Sequence, residues 1–157
     1  MQTPEQLPPE PYDADERLER FGPDAAWLWG AGERLTWLSG IVLALSTLMG
    51  WYVNDADLTT AVIGWHTGSL AKIVLLLGLA VVALHLLHAA GIELPATVPE
   101  SLVVILLGSV ATIFVLIRVI SIPEDFQPAG RGIGLWISLI AALAVIVAGL
   151  LRASEEL

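Results

Sequence analysis

Residues 101–122 read SLVVILLGSVATIFVLIRVISI, and the only charged side chain among these twenty-two residues is that of Arg118. At 1.5 Å per helical residue the run covers about 33 Å, which is enough to cross a hydrocarbon core of about 30 Å. Three more stretches of this kind lie at 35–53, 69–92 and 132–151. The sequence therefore predicts an all-α integral membrane protein, an antiparallel four-helix bundle that is solvated by the lipid bilayer.

The composition and the layout of the chain fit that prediction. Hydrophobic residues make up 56% of the chain and charged residues 15%, whereas about a quarter of the residues in soluble domains are charged. We expect a tail with an interfacial segment over residues 1–34 and a single four-transmembrane-helix domain over residues 35–152. The chain has no cysteine, which excludes disulfides, thiolate metal sites and cysteine nucleophiles.

The net charge of −9 is concentrated in the N-terminal tail, where residues 1–34 hold eight acidic residues against three arginines. Such a tail repels nucleic acid, so no nucleic-acid partner is expected. Its four prolines before residue 12 predict that the beginning of the tail is disordered. The tail lacks the pattern of a cleaved secretory signal, so we expect the first span to be a retained anchor.

The basic and aromatic residues predict an orientation. With the N-terminus inside, four basic residues fall in the cytoplasm and three fall outside, which favours cytoplasmic termini in a plasma (inner) membrane. The cytoplasmic four are Arg17, Arg20, Arg34 and Arg152, and the outer three are Lys72, Arg118 and Arg131. Aromatic residues are expected at both interfaces, with Trp27, Trp29 and Trp37 at one and Trp51, Tyr52, Trp65, Phe126 and Trp136 at the other.

Small residues form stripes at helical spacing on the first and fourth spans. The stripes consist of Gly40, Ala44 and Thr47 on the first span and of Gly134, Ser138, Ala141 and Ala148 on the fourth. Small residues let helix backbones approach closely in lipid. The stripes are therefore interpreted as packing seams between helices of one chain or as an interface between copies, and periodicity does not separate these alternatives.

Two histidines on the second span are the candidate ligand-binding residues. His85 lies seven residues after Gly78, so it shares the small-residue face and points into the bundle. One interpretation is a neutral histidine that is hydrogen-bonded to Ser39 or Ser101 on a neighbouring span. The other is that His85 and His88 bind haem or a metal. Because no other span carries a histidine, haem with two axial ligands would require two copies of the chain.

Two basic residues near the span ends are predicted to have structural roles. Arg118 is close to the end of the third span and is expected to reach the interface and pair with Glu124, Asp125 or Asp57. It would then tie the third span to neighbouring loops. Lys72 lies one turn into the second span and is expected to reach the same interface, near Asp55 or Asp57.

No enzyme signature is found in the chain. Gly-x-Ser-x-Gly, His-Glu-x-x-His and phosphate-loop motifs are all missing from the sequence. None of the spans is interrupted by proline or carries a central acid for proton coupling, so a transporter is not favoured either. We predict a non-enzyme with no catalytic residue, no metal site and no resident cofactor.

Several short motifs at the span ends give the chain a resemblance to known proteins. These are Gly50-Trp51-Tyr52, Leu116-Ile117-Arg118-Val119 with Pro123, and Gly132-Ile133-Gly134-Leu135-Trp136. In them the chain resembles a group of small four-span membrane proteins of actinobacteria that have no assigned activity. The resemblance covers about residues 35–152 and implies a bacterial inner-membrane protein. Gly50 stands where that group often has proline, and the acidic tail replaces a zinc ribbon or a proline-rich segment.

These observations predict a small non-catalytic membrane protein that acts as a subunit or scaffold of a larger assembly. Its expected partners are the lipid bilayer and either other membrane proteins or further copies of the chain. Two alternatives remain open. One is a redox-linked protein that binds haem or a metal through His85 and His88 across an oligomer interface, and the other is an oligomeric channel lined by the small-residue stripes.

Overall fold

The computed structural model describes residues 30–54, 57–92, 95, 98–122, 124 and 129–156. The predicted tail up to residue 29 lies outside this part of the chain. The described part is mostly helical. Its helices are α1 (Ala31–Ser46), α2 (Ser69–Ala89), α3 (Glu100–Ile120) and α4 (Ile133–Glu156). Among the described residues, α2, α3 and α4 are long and apolar enough to cross a membrane.

The helices agree with three of the predicted spans and differ at the first. The spans predicted at 69–92, 101–122 and 132–151 correspond to α2, α3 and α4, and α4 continues to Glu156. The span predicted at 35–53 is wrong at its end, because α1 ends at Ser46 and residues 50–53 belong to a strand. With 16 residues, α1 is about 24 Å long. A short apolar run is compatible with both a strand and a helix, so hydropathy placed this boundary too late.

A small antiparallel sheet lies at one end of the helices, and the all-α prediction missed it. Its strands are β1 (Gly50–Asn54), β2 (Asp57–Ile63) and β3 (Ala129–Arg131), in the order β2-β1-β3. Tyr52 is the register partner of both Val62 on β2 and Arg131 on β3. The connections before α2 and α4 were predicted to be loops and turns. Each of them instead contains a strand, and both strands pair with β1.

Trp51 and Tyr52 on β1 are fully buried, so at the end of the helices where the sequence placed them they pack inside the protein. The indole nitrogen of Trp51 donates a hydrogen bond to the Ser46 carbonyl at 3.0 Å and so caps a carbonyl at the end of α1. The Gly132 amide donates to the Trp51 carbonyl at 2.6 Å. The sheet therefore covers the end of the short helix α1. The aromatic residues Trp51 and Tyr52 of the sheet are part of the hydrophobic core.

The helices pack through their small residues. α1 packs against α2 and α4, and α3 packs against the same two helices. A Cβ atom at Gly78 would lie 2.8 Å from the Ala44 amide nitrogen, and one at Gly149 would lie 3.0 Å from the Ile105 amide nitrogen. The predicted stripes thus lie buried between helices of the same chain. Large apolar side chains such as Leu76 and Leu106 point outward instead.

Candidate functional site at the end opposite the sheet

Five polar side chains meet at the end of the helices that is remote from the sheet, and each helix contributes at least one. We call this set the helix-end cluster. Its members are Glu33 on α1, His85 and His88 on α2, Glu100 on α3 and Arg152 on α4. The cluster contains both histidines that the sequence marked as candidate ligand-binding residues.

Glu100 is the centre of the cluster. One of its carboxylate oxygens lies 3.1 Å from His88 Nδ1, and the other lies 3.0 Å from Arg152 Nη1. The Arg152 side chain is only 9% exposed. Neither Arg152 Nη1 nor Glu100 Oε1 has a hydrogen-bond partner of good geometry, so the attraction between them is that of two charges in contact. The carboxylate of Glu100 thereby links α2, α3 and α4.

His85 faces α1. Its Nδ1 lies 3.7 Å from a carboxylate oxygen of Glu33, which is beyond hydrogen-bond distance. The imidazole ring also stacks on Trp37, with 6.3 Å between the ring centroids and 24° between the ring planes. His85 therefore occupies the seam between α1 and α2.

The serine partners predicted for His85 are engaged elsewhere. The Ser39 hydroxyl donates to the Leu35 carbonyl at 2.6 Å, within its own helix. The Ser101 hydroxyl donates to a carboxylate oxygen of Glu156 at 2.7 Å and gives α3 and α4 a second polar contact. The neighbours of the His85 ring are Glu33 and Trp37 instead of the two serines.

The Nδ1 atoms of the two histidines face different acids. Nδ1 of His85 faces Glu33, and Nδ1 of His88 faces Glu100. Across the described ranges, no three histidine or acidic side chains are grouped so that they could hold a metal ion. Haem or metal binding between two copies of the chain stays a prediction. Within one chain the cluster joins the ends of four helices through one Arg–Glu ion pair and two contacts between a histidine and a glutamate.

Arg118 lies at the opposite end, against the sheet. Its Nη2 donates to the Thr67 carbonyl at 2.8 Å, which links the end of α3 to the segment before α2. Its own carbonyl accepts a hydrogen bond from the Tyr52 hydroxyl at 3.2 Å. Of its predicted acidic partners only Glu124 has a described side chain, and no described acid forms an ion pair with Arg118. The Thr67 carbonyl is thus one partner of the guanidinium, and pairing with Asp57 or Asp125 stays a prediction because those side chains lie outside the described residues.

Tyr52 is held in its neutral form at this end. Burial raises the pKa of its hydroxyl above the ordinary value, and the nearby charge of Arg118 opposes part of that rise. Because a tyrosine ordinarily ionises near pH 10, the raised pKa leaves a neutral phenol at physiological pH. The hydroxyl acts there as a hydrogen-bond donor within the core.

Lys72 reaches the aromatic side chain of Trp65 at the same end. Its ammonium lies 5.2 Å from the centroid of the indole ring, in a cation–π contact. Both side chains are exposed. The predicted neighbours Asp55 and Asp57 cannot be compared with this contact, because their side chains lie outside the described residues.

The sequence analysis missed Glu33, Glu100 and Arg152 as members of a site, although a signal for Glu33 and Arg152 is present in the sequence. Arg152 lies four residues after Ala148 and so extends the small-residue stripe of α4 by one turn. Glu33 lies seven residues before Gly40 and extends the stripe of α1 in the same way. Following each stripe to the end of its span would have placed these charges on the inner faces.

Comparisons of the chain with protein-family models, with curated proteins and with solved structures find no match. The resemblance to the actinobacterial four-span proteins accordingly stays a prediction.

Proposed function

We propose that the protein is a multi-pass integral membrane protein in which all four helices form one antiparallel bundle. One observation carries this proposal: many large apolar side chains of the helices point outward, while the small-residue stripes and several polar side chains lie inside. Leu76, Leu106 and Ile140 are 64%, 62% and 68% exposed. A surface of this kind is unfavourable in water, where contiguous exposed apolar patches are small, and favourable in hydrocarbon.

Within the membrane the protein acts as a non-catalytic subunit or scaffold of a larger assembly. The polar groups of the interior support this role because they contact one another. The hydroxyls of Ser46 and Ser138 are hydrogen-bonded across α1 and α4 at 2.7 Å, and Glu100 links the helix ends through His88 and Arg152. A polar interior used for contacts between helices favours a rigid structural element over a reaction site.

The proposed location is a bacterial plasma membrane, and this part rests on the resemblance. The proposed orientation has both termini in the cytoplasm and rests on the count of basic residues. Because the chain has no cysteine, single introduced thiols can test the orientation. Ser154→Cys and Ser121→Cys are matched exposed positions at the two ends of the helices. A membrane-impermeant maleimide applied to intact cells is expected to label the second variant and not the first. Labelling of Ser154→Cys alone would show the opposite orientation, with the termini outside the cell.

Membrane insertion and assembly are tested in one preparation. The protein is expected to stay in the membrane fraction after alkaline carbonate extraction. Native mass spectrometry of gently extracted material is expected to find a second polypeptide at fixed stoichiometry. Release by carbonate would contradict the membrane proposal. A homo-oligomer that carries haem or metal mass would contradict the scaffold proposal. It would favour the alternative in which His85 and His88 bind haem or a metal.

A further inference from the structure

An apolar groove with a volume of about 250 Å³ runs between the outer surfaces of α1 and α4. The residues that decide its shape are Leu38, Ser39, Val42, Ile140, Ala141 and Ala144. Ser39 adds no polar group to the groove because its hydroxyl donates to the carbonyl of Leu35 in its own helix. An apolar hollow of this size does not hold ordered water, since water needs two to four polar partners.

The shape of the groove favours a thin occupant. Its floor consists of the small residues Ser39 and Ala141, which are nearly fully buried. Its rim consists of Leu38, Val42 and Ile140, which project outward and are 46%, 42% and 68% exposed. A helix from another subunit is about 10 Å wide and needs small residues at the point of contact. The branched rim keeps such a helix away from the floor, whereas a methylene chain fits between the rim residues.

An arginine lies just beyond the residues that line the groove, in the first turn of α1. Arg34 is exposed and lies one turn before Leu38 on the same face of α1. Helical side chains lean toward the helix N-terminus, so its guanidinium extends past the groove toward the level of the headgroups. None of the acids with described side chains lies within ion-pair distance of Arg34. The guanidinium is thus placed to meet a phosphate at the end of an apolar slot.

We propose that the α1–α4 groove binds one anionic glycerophospholipid, with an acyl chain along the groove and the phosphate on Arg34. This inference rests on the proposed insertion into a membrane. It goes further than a general contact with the bilayer, because it assigns one lipid to one seam and names the residue that selects its headgroup.

The test measures retained phospholipid on the full chain by native mass spectrometry, with phosphatidylglycerol and phosphatidylcholine added in equal amounts. Ala144→Leu fills the groove, and Ala83→Leu adds the same side chain at an exposed position of α2 as a matched control. The wild type and Ala83→Leu are expected to retain one phosphatidylglycerol, and Ala144→Leu is expected to lose it. Arg34→Gln should reduce the preference for phosphatidylglycerol about fivefold, the usual effect of one basic residue near a headgroup.

Three results would overturn the inference. They are equal retention by Ala144→Leu and Ala83→Leu, an unchanged headgroup preference in Arg34→Gln, and a wild-type dimer that Ala144→Leu makes monomeric. If Ala144→Leu yields no folded protein, Val42→Trp covers the groove from its exposed rim and should give the same loss of lipid. Resistance to carbonate extraction is measured on the same membranes. Absence of bound lipid from a carbonate-resistant wild-type protein contradicts this inference alone, whereas carbonate release of the wild type contradicts the proposed function.

Discussion

The two ends of the helices are closed by different kinds of contact. At the sheet end Trp51 and Tyr52 are fully buried, and strands and backbone carbonyls make the connections. At the other end histidine and charged side chains make the connections, and the side chains of Glu33 and His88 are 47% and 45% exposed. The sheet end is therefore expected to be sensitive to added volume, and the helix-end cluster to the loss of a charge.

Adding volume at Gly132 should have the largest effect. A Cβ atom there would lie 2.8 Å from the carbonyl carbon of Gly50 and 2.9 Å from that of Trp51, and backbone atoms cannot move aside as flexible side chains do. We expect Gly132→Val to destabilise the protein by about 3 kcal/mol. The measurement is thermal unfolding of the purified protein in mild detergent.

The control for this change is Ser121→Val, which adds a similar side chain at an exposed position near the same end. It should leave the unfolding temperature nearly unchanged. If both variants unfold like the wild type, the sheet end is not the tightly packed junction described above.

Removing the charge of Glu100 should have the next largest effect. In Glu100→Gln the guanidinium of Arg152, with a side chain only 9% exposed, loses its counter-charge. We expect a loss of about 2 kcal/mol, because breaking one side of a buried pair is costly and the partial exposure of the cluster reduces that cost. Because salt screens a buried pair much less than an exposed one, the loss of stability should appear in unfolding measured at low salt and at high salt.

Glu155→Gln is the matched control, since Glu155 is exposed on the last turn of α4. The double variant Glu100→Gln with Arg152→Met should recover part of the lost stability, because it removes the unpaired charge as well. A double variant that is less stable than Glu100→Gln would show that Arg152 contributes through contacts other than its charge.

The sequence predicted most of the helices because hydropathy and length decide them. The runs that became α2, α3 and α4 are long and predominantly apolar, and runs of that length and hydropathy are typical of helices. The stretch Gly50–Asn54 could not be assigned in the same way. Its state depends on pairing with Ile63 and Val62 and with Arg131, which are distant in sequence. Hydropathy carries no information on that pairing.

The candidate site was predicted only in part for a related reason. Helical periodicity placed His85 on an inner face, and the structure places it in the seam between α1 and α2. The identity of its neighbours, Glu33 and Trp37, depends on how α1 is positioned against α2. That register is set by the close approach of Gly78 to Ala44. Periodicity on one helix gives a direction, but it does not give the partner that lies there.

Tyr52→Phe removes a hydrogen bond from the sheet end and leaves its volume almost unchanged. The hydroxyl donates to the Arg118 carbonyl at 3.2 Å, so we expect a loss of about 1 kcal/mol at neutral pH. Because burial raises the pKa of Tyr52, its contribution is complete below about pH 10 and is lost as the pH rises through the folded-state pKa. Stability measured against pH should therefore show the gap between the two proteins closing at alkaline pH. A gap that widens there would contradict the burial of the hydroxyl.

Lys72→Gln should have the smallest effect and tests whether charge matters at the sheet end at all. The ammonium lies 5.2 Å from the Trp65 ring, and an exposed cation–π contact contributes about 0.5 kcal/mol. Lys72→Arg keeps a cation over the ring and should behave like the wild type. Unfolding of the three proteins in parallel measures the difference. A loss as large as that of Glu100→Gln would mean that the sheet end also depends on charge, and the contrast between the two ends would then be one of exposure instead of one of contact type.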